Sequence, residues 1–132
     1  MTEKLELYKC NVCGNIVEVV ISGEGELVCC GEPMKRLNAG TNDEAATEKH
    51  VPVFDHNDDK SCIIRIGAEP HPMIQAHYIM FIEAISDDKD CIIRKYLHPD
   101  DEPKMQLKNF EKKFFAREFC NIHGLWGENN ND

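Results

Sequence analysis

Apolar and polar positions alternate along this chain in short runs, and the runs predict strands rather than helices. Ile16-Val17-Glu18-Val19-Val20-Ile21 is β-branched and ends in the turn cluster Ser22-Gly23-Glu24-Gly25. Glu26-Leu27-Val28 then leads into Cys29. Further on, Cys62-Ile63-Ile64-Arg65-Ile66, Tyr78-Ile79-Met80-Phe81-Ile82-Glu83 and Cys91-Ile92-Ile93-Arg94-Lys95-Tyr96 repeat the pattern. Turn signals separate them: Gly67, Pro70 and Pro72 in one gap, Ser86-Asp87-Asp88-Lys89-Asp90 in the next. Short strands at this spacing predict a β-sandwich or barrel. Two segments stay ambiguous. Residues 43–50 are compatible with a helical turn, and residues 109–120 carry apolar positions at both helical and strand spacings. The end of the chain, Glu128-Asn129-Asn130-Asn131-Asp132, reads as a frayed polar tail.

Charge narrows the range of partners. The 132 residues carry 15 Lys+Arg against 24 Asp+Glu, a net charge of −9. A general nucleic-acid or anionic-membrane binder needs a basic surface to displace counterions, so neither is expected. The longest apolar run, Tyr78-Ile79-Met80-Phe81-Ile82, falls far short of the ~20 residues that cross a bilayer. The opening Met1-Thr2-Glu3-Lys4-Leu5-Glu6 alternates charge and lacks the apolar core of a secretory signal. A cytoplasmic location is the expectation.

Seven Cys and six His are the unusual part of the composition, and they are unevenly placed. Residues 1–37 hold four Cys and no His, whereas residues 38–132 hold all the His and three Cys. Two domains with that boundary are therefore expected, joined through the polar stretch Asn38-Ala39-Gly40-Thr41-Asn42-Asp43-Glu44. In the first, Cys10-Asn11-Val12-Cys13 is a CxxC knuckle followed, after 15 intervening residues, by Cys29-Cys30. Ligands at i and i+3 around a tight turn clamp one metal, and Gly14 gives the backbone freedom just after it. Adjacent Cys must both bend toward the same ion, which predicts a distorted sulfur geometry. Four thiolates select zinc or iron, and softness alone does not separate the two. The blander reading is a redox CxxC with two buried thiols.

His50, His71, His77, Cys120 and His123 form a second constellation. Cys120-Asn121-Ile122-His123 is itself a ligand-spaced pair closing on Gly124. His71 is held between Pro70 and Pro72 on an extended loop, and His77 opens an apolar strand. Taken one at a time, each histidine reads more simply as a surface or satisfied core residue. Several imidazoles with one thiolate suit iron better than structural zinc, which usually stops at four ligands. His56 and His98 sit among acidic residues and read as solvated loop positions, while Cys62 and Cys91 start apolar strands and read as buried structural thiols.

The whole ordered set resembles the desulfoferrodoxin family, two-iron superoxide reductases. It comprises Cys10-x-x-Cys13 with Cys29-Cys30, Glu48-Lys49-His50-Val51-Pro52-Val53, His71-Pro72-Met73, His77-Tyr78-Ile79 and Cys120-Asn121-Ile122-His123-Gly124. The resemblance implies a mainly β chain: a desulforedoxin-like domain with Fe(Cys)4 on Cys10, Cys13, Cys29 and Cys30, then an immunoglobulin-like β-sandwich. The sandwich would hold a mononuclear iron through equatorial His50, His71, His77 and His123 and axial Cys120. It further implies an oxidoreductase that reduces superoxide to hydrogen peroxide without producing dioxygen, with electrons from a small donor such as rubredoxin. Lys49 would face the open iron position, Glu48 would bind the iron after oxidation, and the chain would form a homodimer. Two other classes fit the residues alone: an electron carrier with a structural second metal, and a zinc-stabilised binding module. Metal analysis and reaction with superoxide separate the three.

Overall fold

We describe residues 1–40, 50–57, 61–69, 71–108, 110 and 113–130 of a computed structural model of the chain. They divide into two compact units, Met1–Asn38 and Ala39–Asp132. Every element described along its whole length is a β-strand, and among the described residues His50 alone is helical.

In the first unit, β1 (Leu7–Lys9) lies between β2 (Ile16–Glu18) and β5 (Lys35–Arg36), and both pairings are antiparallel. A second hairpin joins β3 (Val28–Cys29) to β4 (Glu32–Pro33). β2 stops at Glu18, short of the expected Ile21, because β1 offers it only three partners. Val20 and Ile21 are consequently exposed. Leu5, Leu7, Cys10 and Val19 make up the buried apolar set of the described unit. So few buried side chains make a small core for a unit of this length, and metal ligation by its cysteines would add to its stability.

The second unit is a β-sandwich. One sheet has the order β10-β7-β6, built from β6 (Pro52–His56), β7 (Cys62–Ile66) and β10 (Lys104–Leu107). The other has the order β12-β11-β8-β9, built from β8 (Ile79–Ser86), β9 (Ile92–Tyr96), β11 (Phe114–Cys120) and β12 (Gly124–Asn130). Alternation along β7 turns Cys62, Ile64 and Ile66 inward, where they meet Ile82 and Ala84 of β8, Met105 and Leu107 of β10, and Phe114, Ala116 and Cys120 of β11. The ambiguous stretch before Cys120 resolves as a strand from Phe114 onward, paired on both sides. Residues 43–49 of the expected helical turn lie outside the described residues.

Two expectations need correcting here. The tail is not frayed through Asn130: β12 runs to that residue, which is buried and pairs with Phe114. Cys91 is exposed rather than buried, because β9 is the edge strand of its sheet and all five of its residues face solvent. Cys62 is buried as expected.

Candidate metal centres

The first cluster forms at the tips of two hairpins. Cys10 follows β1, and its N–H donates to the Asn15 carbonyl at 2.9 Å, closing the knuckle before β2 begins. The Cys10 sulfur accepts the N–H groups of Val12 and Cys13, each at 3.4 Å. These donors, Cys13 foremost, hold the Cys10 thiol down to about 6. Cys29 sits at the end of β3, with its sulfur 3.6 Å from that of Cys13 and 3.9 Å from that of Cys30. Its neighbour sulfurs, chiefly that of Cys13, push the Cys29 thiol up to about 12. The four sulfurs all lie within 4.8 Å of one another. The adjacent Cys pair sits on an unusual stretch of backbone. Cys30 takes a left-handed φ of 54°, and Gly31 follows at 76°, which swings two consecutive side chains to one side.

The second cluster draws on four separate segments. His50 precedes β6, His71 and His77 lie on the loop before β8, and Cys120 ends β11. A register shift between Phe119 and Cys120 breaks the ladder to β8 there and re-aims the thiol. Residues 121–123 form the hairpin loop, and Gly124 accepts the left-handed φ of 82° that closes it onto β12. His123 on this loop donates its backbone N–H to the Cys120 sulfur at 3.4 Å, and its Nδ1 lies 3.9 Å from the same sulfur.

The four imidazoles form a near-square. Neighbouring ring centroids are 4.8 Å apart for His50–His71 and His71–His77, 4.9 Å for His77–His123 and 4.7 Å for His50–His123. The His50–His77 diagonal is 6.5 Å, close to what a square of that side requires. Cys120 belongs to both ligand triplets of this site, with His50 and His71 on one side and His77 and His123 on the other. His71 Nδ1 is 2.7 Å from the Pro72 carbonyl, so Nδ1 carries the proton and Nε2 carries the lone pair. His50, His71 and Cys120 are buried, His77 is half-buried and His123 is exposed, so the square is anchored in the sandwich and reached from solvent along one side. Burial pushes the Cys120 thiol up, opposed by the N–H groups of His123 and Ile122. The two ligand sets, four thiolates in one and four imidazoles with one thiolate in the other, fit two iron sites.

Glu48 and Lys49 lie outside the described residues. His56 is exposed as expected, but it ends β6 rather than sitting in a loop, and its Nε2 lies 3.2 Å from Asn130 Oδ1. His98 is exposed beside Asp101. Sequence reasoning missed two residues that support the square. Trp126 stacks on His50 at 5.0 Å and 13°, and its indole N–H donates to the His123 carbonyl at 3.1 Å. Glu118 is fully buried, with Oε2 3.9 Å from His50 Nδ1, and burial raises its carboxyl well above the usual range. Their positions at two residues before Cys120 and three after His123 were the available signal.

Comparison with known proteins agrees with this division of labour. The description "Desulfoferrodoxin, N-terminal domain" matches residues 2–37, and "Desulfoferrodoxin" matches residues 42–129. A desulfoferrodoxin homolog from Archaeoglobus fulgidus is 51% identical over 126 residues, covering 96% of this chain and 98% of that one. The solved superoxide reductase from Treponema pallidum shares the fold over 97% of this chain and 99% of its own, with a TM-score of 0.71 at 24% identity. A one-iron superoxide reductase from Giardia intestinalis, 28% identical, covers 63% of this chain and 97% of its own with a TM-score of 0.52. With both family descriptions matched in order, and half of all positions shared with a relative across almost the whole length, the chain belongs to the desulfoferrodoxin family.

Proposed function

We propose that this chain reduces superoxide to hydrogen peroxide at its second centre, adding one electron and two protons to each superoxide and forming no dioxygen. The observation that carries the reading is the near-square of His50, His71, His77 and His123 with Cys120 common to both of its ligand triplets. Ferrous iron held there supplies the electron and a coordination position for a small anion. The residues do the rest. Four imidazoles and the Cys120 thiolate would hold the metal, and the thiolate would donate electron density to it. Burial of His50 and His71 excludes water from the inner side, while exposed His123 leaves the outer side within reach of solvent protons.

Lys49 is assigned the attraction of superoxide, because the net charge of −9 opposes the approach of any anion. Glu48 is assigned the role of a hard oxygen ligand that closes the site after turnover. Residues 1–37 form the Fe(Cys)4 domain in this reading and residues 38–132 the reductase domain. A small donor such as rubredoxin supplies electrons, the chain pairs as a homodimer, and the abundance of reduced thiols suits the cytoplasm. No helix among the described residues is long and apolar enough to cross a membrane.

The test is pulse-generated superoxide mixed with the reduced full-length protein. The parent should consume superoxide in a second-order reaction that yields peroxide and no dioxygen. Lys49→Ala should keep both irons and react about tenfold more slowly, the equivalent of about 1–2 kcal/mol of local attraction. Evolution of dioxygen would assign dismutation instead, and an unchanged Lys49→Ala rate would return that lysine to the solvated surface.

A further inference from the structure

The loops that carry His77 and the Cys120–His123 pair come from distant parts of the sequence, and one side chain ties them together. The ladder between β8 and β11 ends at the Cys120↔Ile79 pair, just past its register shift. Beyond that point the Asn121 carboxamide takes over the pairing. Its Oδ1 accepts the Tyr78 N–H at 2.9 Å, and its Nδ2 donates to the Ala76 carbonyl at 3.1 Å. The Asn121 backbone N–H adds a third bond, to the Tyr78 carbonyl at 3.2 Å. His77 is therefore bracketed on both sides by one residue that is covalently next to Cys120. The other end of its turn is closed by the reciprocal Ile74 and His77 backbone bonds of 3.1 and 3.0 Å.

Asparagine is not demanded here by the backbone. Left-handed φ values among the described non-glycine residues occur at Leu5, Cys30, Lys89 and Asp100, and not at Asn121. What the position uses is the paired donor and acceptor of an amide, the shape of a backbone peptide group, on a stem short enough to bridge adjacent loops. Asp offers only acceptors and would set a carboxylate against the Ala76 carbonyl. Ala offers neither group.

We propose that Asn121 is a positioning residue of the second centre, its carboxamide holding His77 against Cys120 and His123 so that the ligand set is assembled before the metal arrives. The proposal rests on the reading that these residues hold iron. Groups that orient metal ligands from behind typically change metal affinity 10- to 100-fold when removed. Asn121 is exposed, and each of its bonds alone contributes little to overall stability, so the effect belongs to ligand geometry rather than to folding.

The experiment uses the full-length protein loaded with iron, in the parent, Asn121→Ala and Asn121→Asp. Loss of iron from each centre to a chelator is followed by the thiolate-to-iron absorption of the oxidised protein, and the midpoint potential of the second centre is measured alongside. Removal of the clamp should make the second centre release iron 10- to 100-fold more readily, with a shifted absorption band and a shifted potential. The first centre and the far-ultraviolet circular dichroism should match the parent. Asn121→Asp, which keeps one side-chain acceptor and loses the donor, should fall on the same side, and it decides the matter on these readouts if Asn121→Ala does not fold. Release unchanged within twofold, or faster release with an unshifted band and potential, overturns the positioning role. A parent that binds no metal through His77, Cys120 and His123 overturns the functional reading itself, and this inference with it.

Discussion

At the scale of single residues, the second centre depends on side chains that bind no metal. Trp126, the only tryptophan of the chain, stacks on His50 and lies close against Gly40. Gly40 donates to the Leu125 carbonyl at 2.9 Å and accepts from the Gly127 N–H at 3.0 Å, which fixes its approach to the indole. A Cβ at Gly40 would stand 2.7 Å from Trp126 Cε3 and 2.8 Å from Cζ3. A shift of the ring would disturb its stacking on His50. Gly40→Ala should therefore lower the stability of this unit by about 1–3 kcal/mol, the usual cost of overpacking. It should also alter the tryptophan emission and the absorption of the second iron together. A stable variant with parental emission and absorption would show that the indole has room the distances deny it. Glu118 sits beside the same ring, with Oε2 3.9 Å from His50 Nδ1, and burial holds its carboxyl well above the ordinary range.

At the scale of the element, the four-stranded sheet carries a row of three charges, buried at Glu83 and Arg117 and open to solvent at Arg94. Glu83 on β8 faces Arg94 on β9 and Arg117 on β11 in direct register. Arg94 donates from Nε at 2.8 Å, and Arg117 donates from Nε at 2.6 Å. Glu83 is fully buried, and the Arg117 side chain is only 9% exposed. Three charges so placed do not gain much over an apolar row, but removing the central one leaves buried guanidinium behind. Glu83→Ala should cost about 3–5 kcal/mol of stability, read from urea unfolding of the loaded protein. A loss below about 1 kcal/mol would mean that water replaces the carboxylate at no great cost. The same sheet explains why β9 misled the sequence reading of Cys91. Ile92 and Ile93 are strand formers, but nothing in their composition says that no strand lies beyond them.

At the scale of the whole molecule, the two ligand sets do not interleave in sequence, and each falls inside one compact unit. Independent failure follows. Cys13→Ser should alter or empty the first centre and leave the reaction of the reduced second iron with superoxide within about twofold of the parent, since an equal transition-state barrier means an equal rate. Cys120→Ser should abolish that reaction and leave the first centre's absorption in place. Loss of both irons in either variant would show that the units fold only together.

What the sequence determined by itself is the chemistry that is local along the chain. Cys10 and Cys13 flank one turn, Cys29 and Cys30 are adjacent, and Cys120 and His123 are three residues apart, so spacing alone marks them as candidate ligands. The alternation of Cys62–Ile66 is legible for the same reason, since a period of two reports one buried face. His50, His71 and His77 are legible along the chain only as a candidate set near turn and strand boundaries, and their role as equatorial ligands came with the family resemblance, because nothing local says that three separated rings will close a square. Tertiary structure alone decided that closure, the register shift that aims Cys120, and the order of strands that exposes Cys91. It also brought Gly40, Asn121 and Trp126 to the ligands, because pairing between distant strands and loops is set by the whole core and not by any window of sequence.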